Sequence, residues 1–528
     1  MRIGFASIYA WRPHVEHMHY LSLLAQEAGH EVRFLACDGD LPSCYSRQLR
    51  PQNAAKWECF KCRAGGTRSF VARGVSGIGT LAPPATRDNI DARFGAWARS
   101  SANTLWRFET PTEFDSGEAA RTAATLAPAV ARAYEAARRW IEREALDGVY
   151  LFNGRMDVTR GVLEAARDKG VPFVSVERTW FGDGIGILPG EDCLGLKNID
   201  RMVSRYSEVP LLETQAARIA RHVASRFLRV NTTEWRAYNQ QATYTPWPGA
   251  GSGPRVLILP SSRNEFHGHA DWRNGWREPT QALNALLDHL GLDGRDCVLR
   301  CHPNWGERIG HATGERPERY YTEWARARGV KLVASIDRTS TLGLIEEADA
   351  VVVNGSSAGL EAGILGKQVI STGPSWYQAG GYASRAHAPD ELASLVLTAT
   401  RDEATRAASA EYTARRALRF GYTMIARAPQ FVNQVRGASS FDYEYFAGAD
   451  ATRIGRLLET QQLDADDGAC GSSPQAEGGV LEAIRHRRWS DMLPDSLEAR
   501  TGAPLAVSRR PAFRAIDHLR RVRPTGDR

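Results

Sequence analysis

The chain has little lysine and no long apolar run. Only six of its 67 basic residues are lysines, and the formal net charge is +6 over 528 residues. Arginine suits phosphate and carboxylate contacts, but this excess is too small to indicate a nucleic-acid partner. No run of about 18 apolar residues occurs, so no transmembrane helix is expected. The first residues lack the apolar core of a signal peptide, which predicts a cytoplasmic protein with reduced or metal-bound cysteines.

Two stretches of alternating apolar strands and helices divide the chain. They cover residues 1–240 and 250–440, and the linker-like stretch QQATYTPWPGAGSGP lies between them. Continuous apolar strands that alternate with helices are typical of parallel sheets covered on both faces. The sequence therefore predicts an α/β protein with two Rossmann-like domains, whose parallel sheets face an interdomain cleft.

The remaining segments are less regular. Residues 38–110 are rich in Gly, Pro, Arg and Ser and predict long loops with short pieces of structure, whereas residues 386–436 predict helix. Residues 441–528 predict a tail, in which the composition of 463–479 is typical of disorder. The basic end, VSRRPAFRAIDHLRRVRP, is interpreted first as a solvated helix. Peripheral contact with an anionic membrane, at the inner face of the cell membrane, is the alternative.

Polar residues follow three predicted strands of the second domain at their carboxyl ends. The strand at 255–260 runs into PSSRNEFHG, the strand at 297–300 into RCHPN, and the strand at 349–353 into NGSSAGLEA. Ligands of parallel α/β sheets bind beyond these ends. The helix predicted at 357–365 would offer free N–H groups to a phosphate, with Glu361 one turn in for a ribose hydroxyl. Asn-Gly-Ser-Ser before a helix is also a good N-cap that needs no ligand.

Taken together, the three strand ends predict a nucleotide-phosphate site. His302 would donate to the phosphate or the base, and Pro303 would fix the turn that directs it. Gly355 and Gly359 would permit close approach of the ligand. The predicted binding residues are Ser261, Ser262, Arg263, His302, Pro303, Asn354, Gly355, Ser356, Ser357, Gly359 and Glu361.

The stretches LRCHPN and STLGLIEEADAVVVNGSSAGLEAGILGKQVISTGPSWY resemble the C-terminal domain of capsule-polysaccharide-biosynthesis proteins. That family includes the Kdo transferases of capsule assembly. The resemblance is strongest over residues 255–378 and weaker in LFNGRMDVTRGVLEAA and VPFVSVERTW. It departs at Asn-Gly-Ser-Ser, where the family often has Ser-Thr or Ser-Ser after a different residue, and residues beyond about 440 have no counterpart.

This resemblance implies a GT-B glycosyltransferase whose C-terminal domain holds the donor nucleotide through His302, Ser356, Ser357 and Glu361. The His-Pro and Ser-Ser pairs are also similar to those of bacterial sialyltransferases, which use CMP-sugars. A CMP-linked donor, Kdo or another acidic sugar, and a glycan or glycolipid acceptor are therefore expected. Enzymes of this fold generally need no catalytic metal, so no cofactor is expected for catalysis.

A transferase of this kind needs a base that deprotonates the acceptor hydroxyl. Glu177, at the end of the strand predicted at 171–176, is the first candidate. A structural ion pair between Glu177 and Arg178 is the alternative. Asp157 and His17 are the other candidates.

Further polar residues lie at the same edge of the first domain. His14 and Glu16 follow the first strand, together with His17. Asn153 and Arg155 follow the strand predicted at 148–152. Arg155 would clamp a phosphate or the carboxylate of an acidic sugar, because its planar fork matches both groups.

Four of the eight cysteines fall within 26 residues: Cys37, Cys44, Cys59 and Cys62. Four thiolates can hold a structural zinc ion in a tetrahedron. The C-x6-C spacing of the first pair is wider than in zinc ribbons, so unliganded thiols are the alternative.

Two other functions fit parts of the pattern. UDP-N-acetylglucosamine 2-epimerases share two such domains and a His-Pro motif, but favour a Ser-Gly-Gly turn where this chain has Ser-Ser. A non-catalytic member of an export assembly would bind glycans or nucleotides and would have lost its cleft carboxylates. Both Glu177 and Glu361 are present.

Overall fold

The computed structural model describes residues 1–70, 72–84, 90–234, 238–493, 502–507 and 509–515, with the backbone only at residue 309. Within these ranges, no helix is both long and apolar enough to cross a membrane. Two six-stranded sheets organise the chain.

The first sheet has the strand order β3-β2-β1-β4-β5-β6, and all its strands are parallel except the edge strand β6. Its strands are β1 Arg2–Ala6, β2 Glu31–Ala36, β3 Val75–Gly77, β4 Gly148–Phe152, β5 Phe173–Glu177 and β6 Gly186–Pro189. The helices around it are α1 His14–Glu27, α2 Tyr45–Gln48, α3 Ala55–Gly65, α4 Ile78–Leu81, α5 Ala92–Trp106, α6 Pro111–Phe114, α7 Gly117–Glu144, α8 Asp157–Asp168, α9 Lys197–Tyr206 and α10 Glu213–Phe227.

The second sheet is parallel throughout, with the order β11-β8-β7-β12-β13-β14. Its strands are β7 Val256–Leu259, β8 Cys297–Arg300, β11 Lys331–Val333, β12 Ala350–Val353, β13 Gln368–Ser371 and β14 Ala383–Arg385, with a hairpin of β9 Arg308–Ile309 and β10 Ala312–Thr313 beside it. Its helices are α11 Pro279–Leu290, α12 Glu315–Arg328, α13 Thr341–Glu347 and α14 Ala358–Ile364. Strands β7 and β12 are buried along their whole length, as their apolar sequences predict.

The chain then returns to the first domain. Helix α15 (Glu403–Tyr422) continues as a π-helical turn, Thr423–Arg427, and Gln430 pairs with Ile185 beside β6. The last described elements are β15 Val435–Gly437, β16 Tyr443–Tyr445, α16 Arg453–Thr460 and α17 Gly478–Arg485. They pack on the first domain: the Tyr150 hydroxyl of β4, for example, donates to the Ile454 carbonyl at 2.8 Å.

Three predictions about irregular segments need correction. Residues 38–110 contain a 15-residue helix, α5, which is longer than the short pieces of structure predicted there. The helix predicted over 386–436 is confined to α15 and its π-helical turn, since only short 3-10 turns precede it. The segment 463–479, predicted to be disordered, is packed against α15, where Glu477 is fully buried and bonds to Arg419. Most of the predicted basic helix at the end of the chain lies outside the described residues.

The carboxyl ends of the two sheets face each other. Trp180, in the loop after β5, meets Trp376, in the loop after β13, with ring centroids 5.7 Å apart. Trp272, in the loop after β7, donates its indole N–H to the Leu194 carbonyl at 2.8 Å. The predicted fold class, a GT-B-like α/β protein with two Rossmann-like domains, is therefore confirmed.

Candidate active site

The second sheet changes strand order between β7 and β12, and its polar turn lies at that point. The Asn354 side chain, directly after β12, accepts a hydrogen bond from the Ser261 N–H and donates to the Ser261 carbonyl. Gly355 follows with φ of 110°, a backbone conformation that favours glycine. Ligands of open α/β sheets bind at such switch points. Asn354 thus joins the two strand ends that border the candidate site.

His302 stands at the end of the neighbouring strand β8, as predicted. It caps the 3-10 turn Pro303–Gly306, because its Nδ1 accepts from the Asn304 N–H at 3.2 Å. Burial lowers the pKa of His302 to about 4, so the ring is neutral at pH 7. Since Nδ1 accepts a hydrogen bond, the ring proton is on Nε2, which can donate to a ligand.

Ser262 and Arg263 hold the loop after β7 in place. Ser262 Oγ accepts from the Trp305 indole N–H at 2.6 Å. The Arg263 N–H donates to Glu109 Oε2 of the first domain at 3.0 Å, and its guanidinium donates to the Arg277 carbonyl at 3.4 Å. Ser262 and Arg263, which were predicted to bind the nucleotide, therefore fix the loop after β7 to neighbouring residues of both domains.

The serines after β12 retain more freedom. Ser356 Oγ accepts from the Ala358 N–H at 3.4 Å, a long hydrogen bond, and the Ser357 side chain makes no capping bond. Both are half-buried. Helix α14 has only seven residues, so its dipole is small. Gly359 is needed for packing, since a Cβ there would lie 3.0 Å from the Tyr377 ring.

Glu361 is placed differently from the prediction. Its carboxylate is buried, with 1% of the residue exposed, and it forms an ion pair with Arg226 of α10. A second carboxylate, that of Glu234, lies 3.1 Å from the same guanidinium. The structure therefore does not bring Glu361 to an open ribose site.

Glu109 is a carboxylate at the contact between the domains that the sequence did not indicate. It is fully buried, and it accepts from the Arg263 N–H and from the Tyr321 hydroxyl at 3.2 Å. Burial raises the pKa of Glu109 to about 7, although both hydrogen bonds oppose this shift. It lies in the irregular stretch RFETPTEF, where no periodicity marks a buried acid.

We expect Glu109→Gln to change how the stability of the protein depends on pH. The folded protein holds a proton on Glu109 up to about pH 7, against 4.5 for the ordinary group. Wild-type stability should therefore fall as pH rises between these values, by about 3 kcal/mol. Urea unfolding at pH 5 and pH 8 should show this loss in wild type and its absence in the variant. The exposed Glu323→Gln serves as control, and an identical pH dependence in wild type and Glu109→Gln would contradict the assignment.

In the first domain, the half-buried Glu177 lies in a polar cluster at the ends of β4 and β5. One carboxylate oxygen bonds to His14 Nε2 at the start of α1, and the other accepts from Asn153 Nδ2 at 2.8 Å. Burial alone would raise the pKa of Glu177, but His14, Asn153 and the Arg178 N–H together lower it to about 2. A carboxylate of this pKa is a weak base, and its geometry is that of a group that orients His14.

His14 itself has an unused ring nitrogen. Within the described chain, its Nδ1 is buried and has no hydrogen-bond partner. With the Nε2 proton directed at Glu177, the Nδ1 lone pair is available to accept a proton. The sequence placed His14 at this edge, but only the structure shows that it contacts Glu177.

The other candidates of the first domain are occupied by structural contacts. Asp157 is fully buried and accepts from the Tyr9 hydroxyl and from the Tyr45 N–H. His17 is fully buried, 3.0 Å from the Tyr445 hydroxyl, and burial lowers its pKa well below the ordinary value.

Arg155 also faces inward. Its guanidinium donates to Ser100 Oγ at 2.9 Å and to Thr104 Oγ1 at 3.2 Å, and 7% of the residue is exposed. It connects the end of β4 to α5. No open clamp for a phosphate or a carboxylate is formed by Arg155 in this arrangement.

The four clustered cysteines, Cys37, Cys44, Cys59 and Cys62, line one small cavity beside α3. Across the described ranges, no group of three or more His, Cys, Asp or Glu side chains is placed to hold a metal ion. Burial raises the pKa of Cys37 to about 12 and that of Cys62 to about 11, so both thiols are protonated at neutral pH. The convergence expected of a zinc site is not observed, and structural zinc stays a prediction from the sequence.

Comparison with known proteins supports no closer assignment. No family model and no curated protein matches the chain. One similar solved structure is KpsC beta Kdo 2,4 transferase of Thermosulfurimonas dismutans, which is 14% identical over 60% of this chain and 88% of that one, with a TM-score of 0.35. A putative UDP-N-acetylglucosamine 2-epimerase from Listeria monocytogenes is 12% identical over 87% and 96% of the chains, with a TM-score of 0.28. Glycosyltransferase SsfS6 of Streptomyces sp. SF2575 is 14% identical over 79% and 95%, with a TM-score of 0.20. Likenesses this distant leave the reaction to be argued from the site itself.

Proposed function

We propose that the protein is a glycosyltransferase that moves a sugar from a nucleotide donor to a glycan or glycolipid acceptor. The observation that carries the proposal is the His14–Glu177 pair at the carboxyl edge of the first sheet. In this proposal that edge lies across the cleft from the switch point of the second sheet, where His302 and the Asn-Gly-Ser-Ser turn lie. A base on one side of a cleft and neutral donors on the other suit the transfer of a group between two bound substrates.

In this proposal acceptor binding uncovers the buried His14 Nδ1, and the acceptor hydroxyl gives its proton to that nitrogen. The acceptor oxygen bonds to the anomeric carbon of the sugar as the bond from that carbon to the phosphate oxygen breaks, and the nucleotide leaves. Glu177 keeps the ring oriented and stabilises the imidazolium that forms, while Asn153 holds Glu177.

The donor side favours a nucleotide with one phosphate. The strand ends of the second sheet offer His302, Ser356 and Ser357, which are neutral donors. Arg263, a cation of this edge, already donates to the Arg277 carbonyl. A CMP-sugar presents one phosphate to this edge where a UDP-sugar presents two, so less negative charge must be neutralised there, and we propose a CMP-linked donor.

We expect His302→Ala to weaken nucleotide binding tenfold to a hundredfold. The variant loses the Nε2–H donor to a charged phosphate, a bond of about 1.5–3 kcal/mol. Titration calorimetry with CMP-Kdo, CMP-sialic acid and UDP-sugars would measure the loss and identify the donor.

A matched control is His289→Ala, on the last turn of α11, where Nε2 bonds to the Leu395 carbonyl at 3.1 Å. It should bind every nucleotide as wild type does. If His302→Ala also binds all of them with wild-type affinity, the donor site is not at this strand end and the proposed function loses its support.

A further inference from the structure

Helix α3 presents two aromatic rings to solvent. Trp57 and Phe60 are 55% and 58% exposed, and their ring centroids lie 5.4 Å apart in a stacked arrangement. They are three residues apart and so share one face of the helix. Large aromatic side chains exposed side by side on a soluble surface are unusual and mark an interaction site.

The segment around these rings carries a concentrated positive charge. Residues 44–74 contain seven basic residues and one acidic residue, an excess of six that equals the formal net charge of the whole chain. The acidic residue, Glu58, is buried and paired with Lys61 and Arg50. Arg50, Lys56 and Arg63 are exposed. The α3 surface, defined as Trp57, Phe60, Arg50, Lys56 and Arg63, is therefore aromatic and cationic.

The end of the chain adds cations beside this surface. Arg509 pairs with Phe70, and its guanidinium donates to the Ala64 carbonyl on α3 and to Ser69 Oγ at 3.2 Å. The Arg510 N–H donates to the Ser69 carbonyl at 2.9 Å. The neighbouring Arg510 and Arg514 are exposed. The terminal segment thus brings its basic side chains to α3.

We propose that the α3 surface docks onto an anionic lipid bilayer, with Trp57 and Phe60 in the headgroup region. Tryptophan and phenylalanine are stabilised at that depth, and anionic lipids attract nearby Lys and Arg side chains. The rings share their helix with the exposed cations Lys56 and Arg63, which suits a layer of anionic headgroups. This docking is independent of the proposed transfer reaction.

The test is co-sedimentation of the full-length protein with vesicles of phosphatidylcholine, with and without phosphatidylglycerol. Wild type should bind the anionic vesicles, and added salt should weaken binding. Trp57→Ser/Phe60→Ser should reduce it at least about tenfold. Lys56→Ala/Arg63→Ala should reduce both the affinity and its salt dependence. The circular dichroism spectrum and the thermal unfolding midpoint of each variant, measured in parallel, show whether the fold is intact.

The matched control is Val396→Ser/Tyr412→Ser, which removes two side chains that are 46% and 53% exposed in the second domain. It should bind vesicles as wild type does. Equal binding by wild type and the Trp57/Phe60 variant would overturn the proposal, as would binding to neutral vesicles alone. If the protein binds soluble dextran sulfate but not vesicles, the surface binds a polyanion instead. If wild type does not bind vesicles and the Trp57/Phe60 variant changes its oligomeric state, the surface contacts a second copy of the chain.

Discussion

His14→Ala is expected to lower turnover about a hundredfold to ten-thousandfold while leaving donor binding nearly intact. A general base contributes a factor of this size, and it acts on the acceptor during the chemical step. Turnover would be followed as nucleotide release from the donor that binds most tightly, and donor affinity by calorimetry. A parallel loss of donor affinity would show instead that His14 belongs to the donor site.

The companion variant Glu177→Gln distinguishes the base of the pair from the group that orients it. The amide can still accept from His14 Nε2, but it no longer stabilises the charged ring, so turnover should fall by less than in His14→Ala. Because the pKa of Glu177 is about 2, the carboxylate is a weak base at neutral pH. If His14→Ala keeps full activity and Glu177→Gln has none, the base is Glu177 and not His14.

His19→Ala is the matched control on the same helix. The His19 ring is buried between Phe34 and Phe70, with centroid distances of 5.0 and 4.2 Å. Its removal should reduce stability, because it leaves a cavity, but turnover per folded molecule should be unchanged.

The strands of both sheets could be predicted because a parallel sheet buries both faces. Strands such as VLIL and AVVV are then continuous apolar runs that end abruptly in polar residues. For β4 and β8 the predicted bounds are those observed. The same abrupt ends indicated the two candidate sites, since parallel strands bring their carboxyl ends to one edge.

Ion pairs between residues far apart in the chain explain which structural features could not be predicted from the sequence. The acidic segment 463–479 has the composition of a disordered chain, yet Glu477 is buried because Arg415 and Arg419 of α15 neutralise it. Nothing local in the sequence indicates these partners. Likewise, the position of Glu361 on α14 suggested a ligand, but its partner Arg226 is 135 residues away in the chain.

Arg226→Met is expected to destabilise the protein by about 3–5 kcal/mol. The variant leaves the buried carboxylates of Glu361 and Glu234 without their common cation, and breaking a buried ion pair on one side costs this much. Urea or thermal unfolding would measure the loss. Arg226→Met/Glu234→Leu/Glu361→Leu removes all three charges and should recover most of the stability, because no uncompensated charge remains.

The matched control is Glu482→Ala, which breaks the exposed pair with Arg485, whose N···O distance is 2.7 Å. Surface pairs contribute less than about 1 kcal/mol, so this variant should unfold almost as wild type does.

Nucleotide binding distinguishes the two possible roles of Glu361, which are to bind the ribose and to pair with Arg226. If Glu361→Ala keeps wild-type stability but loses nucleotide affinity, the Glu361 carboxylate binds the ribose in the complex and no longer pairs with Arg226. If Arg226→Met lowers stability and the triple variant restores both stability and binding, the Glu361 carboxylate serves only to fix α14 against α10.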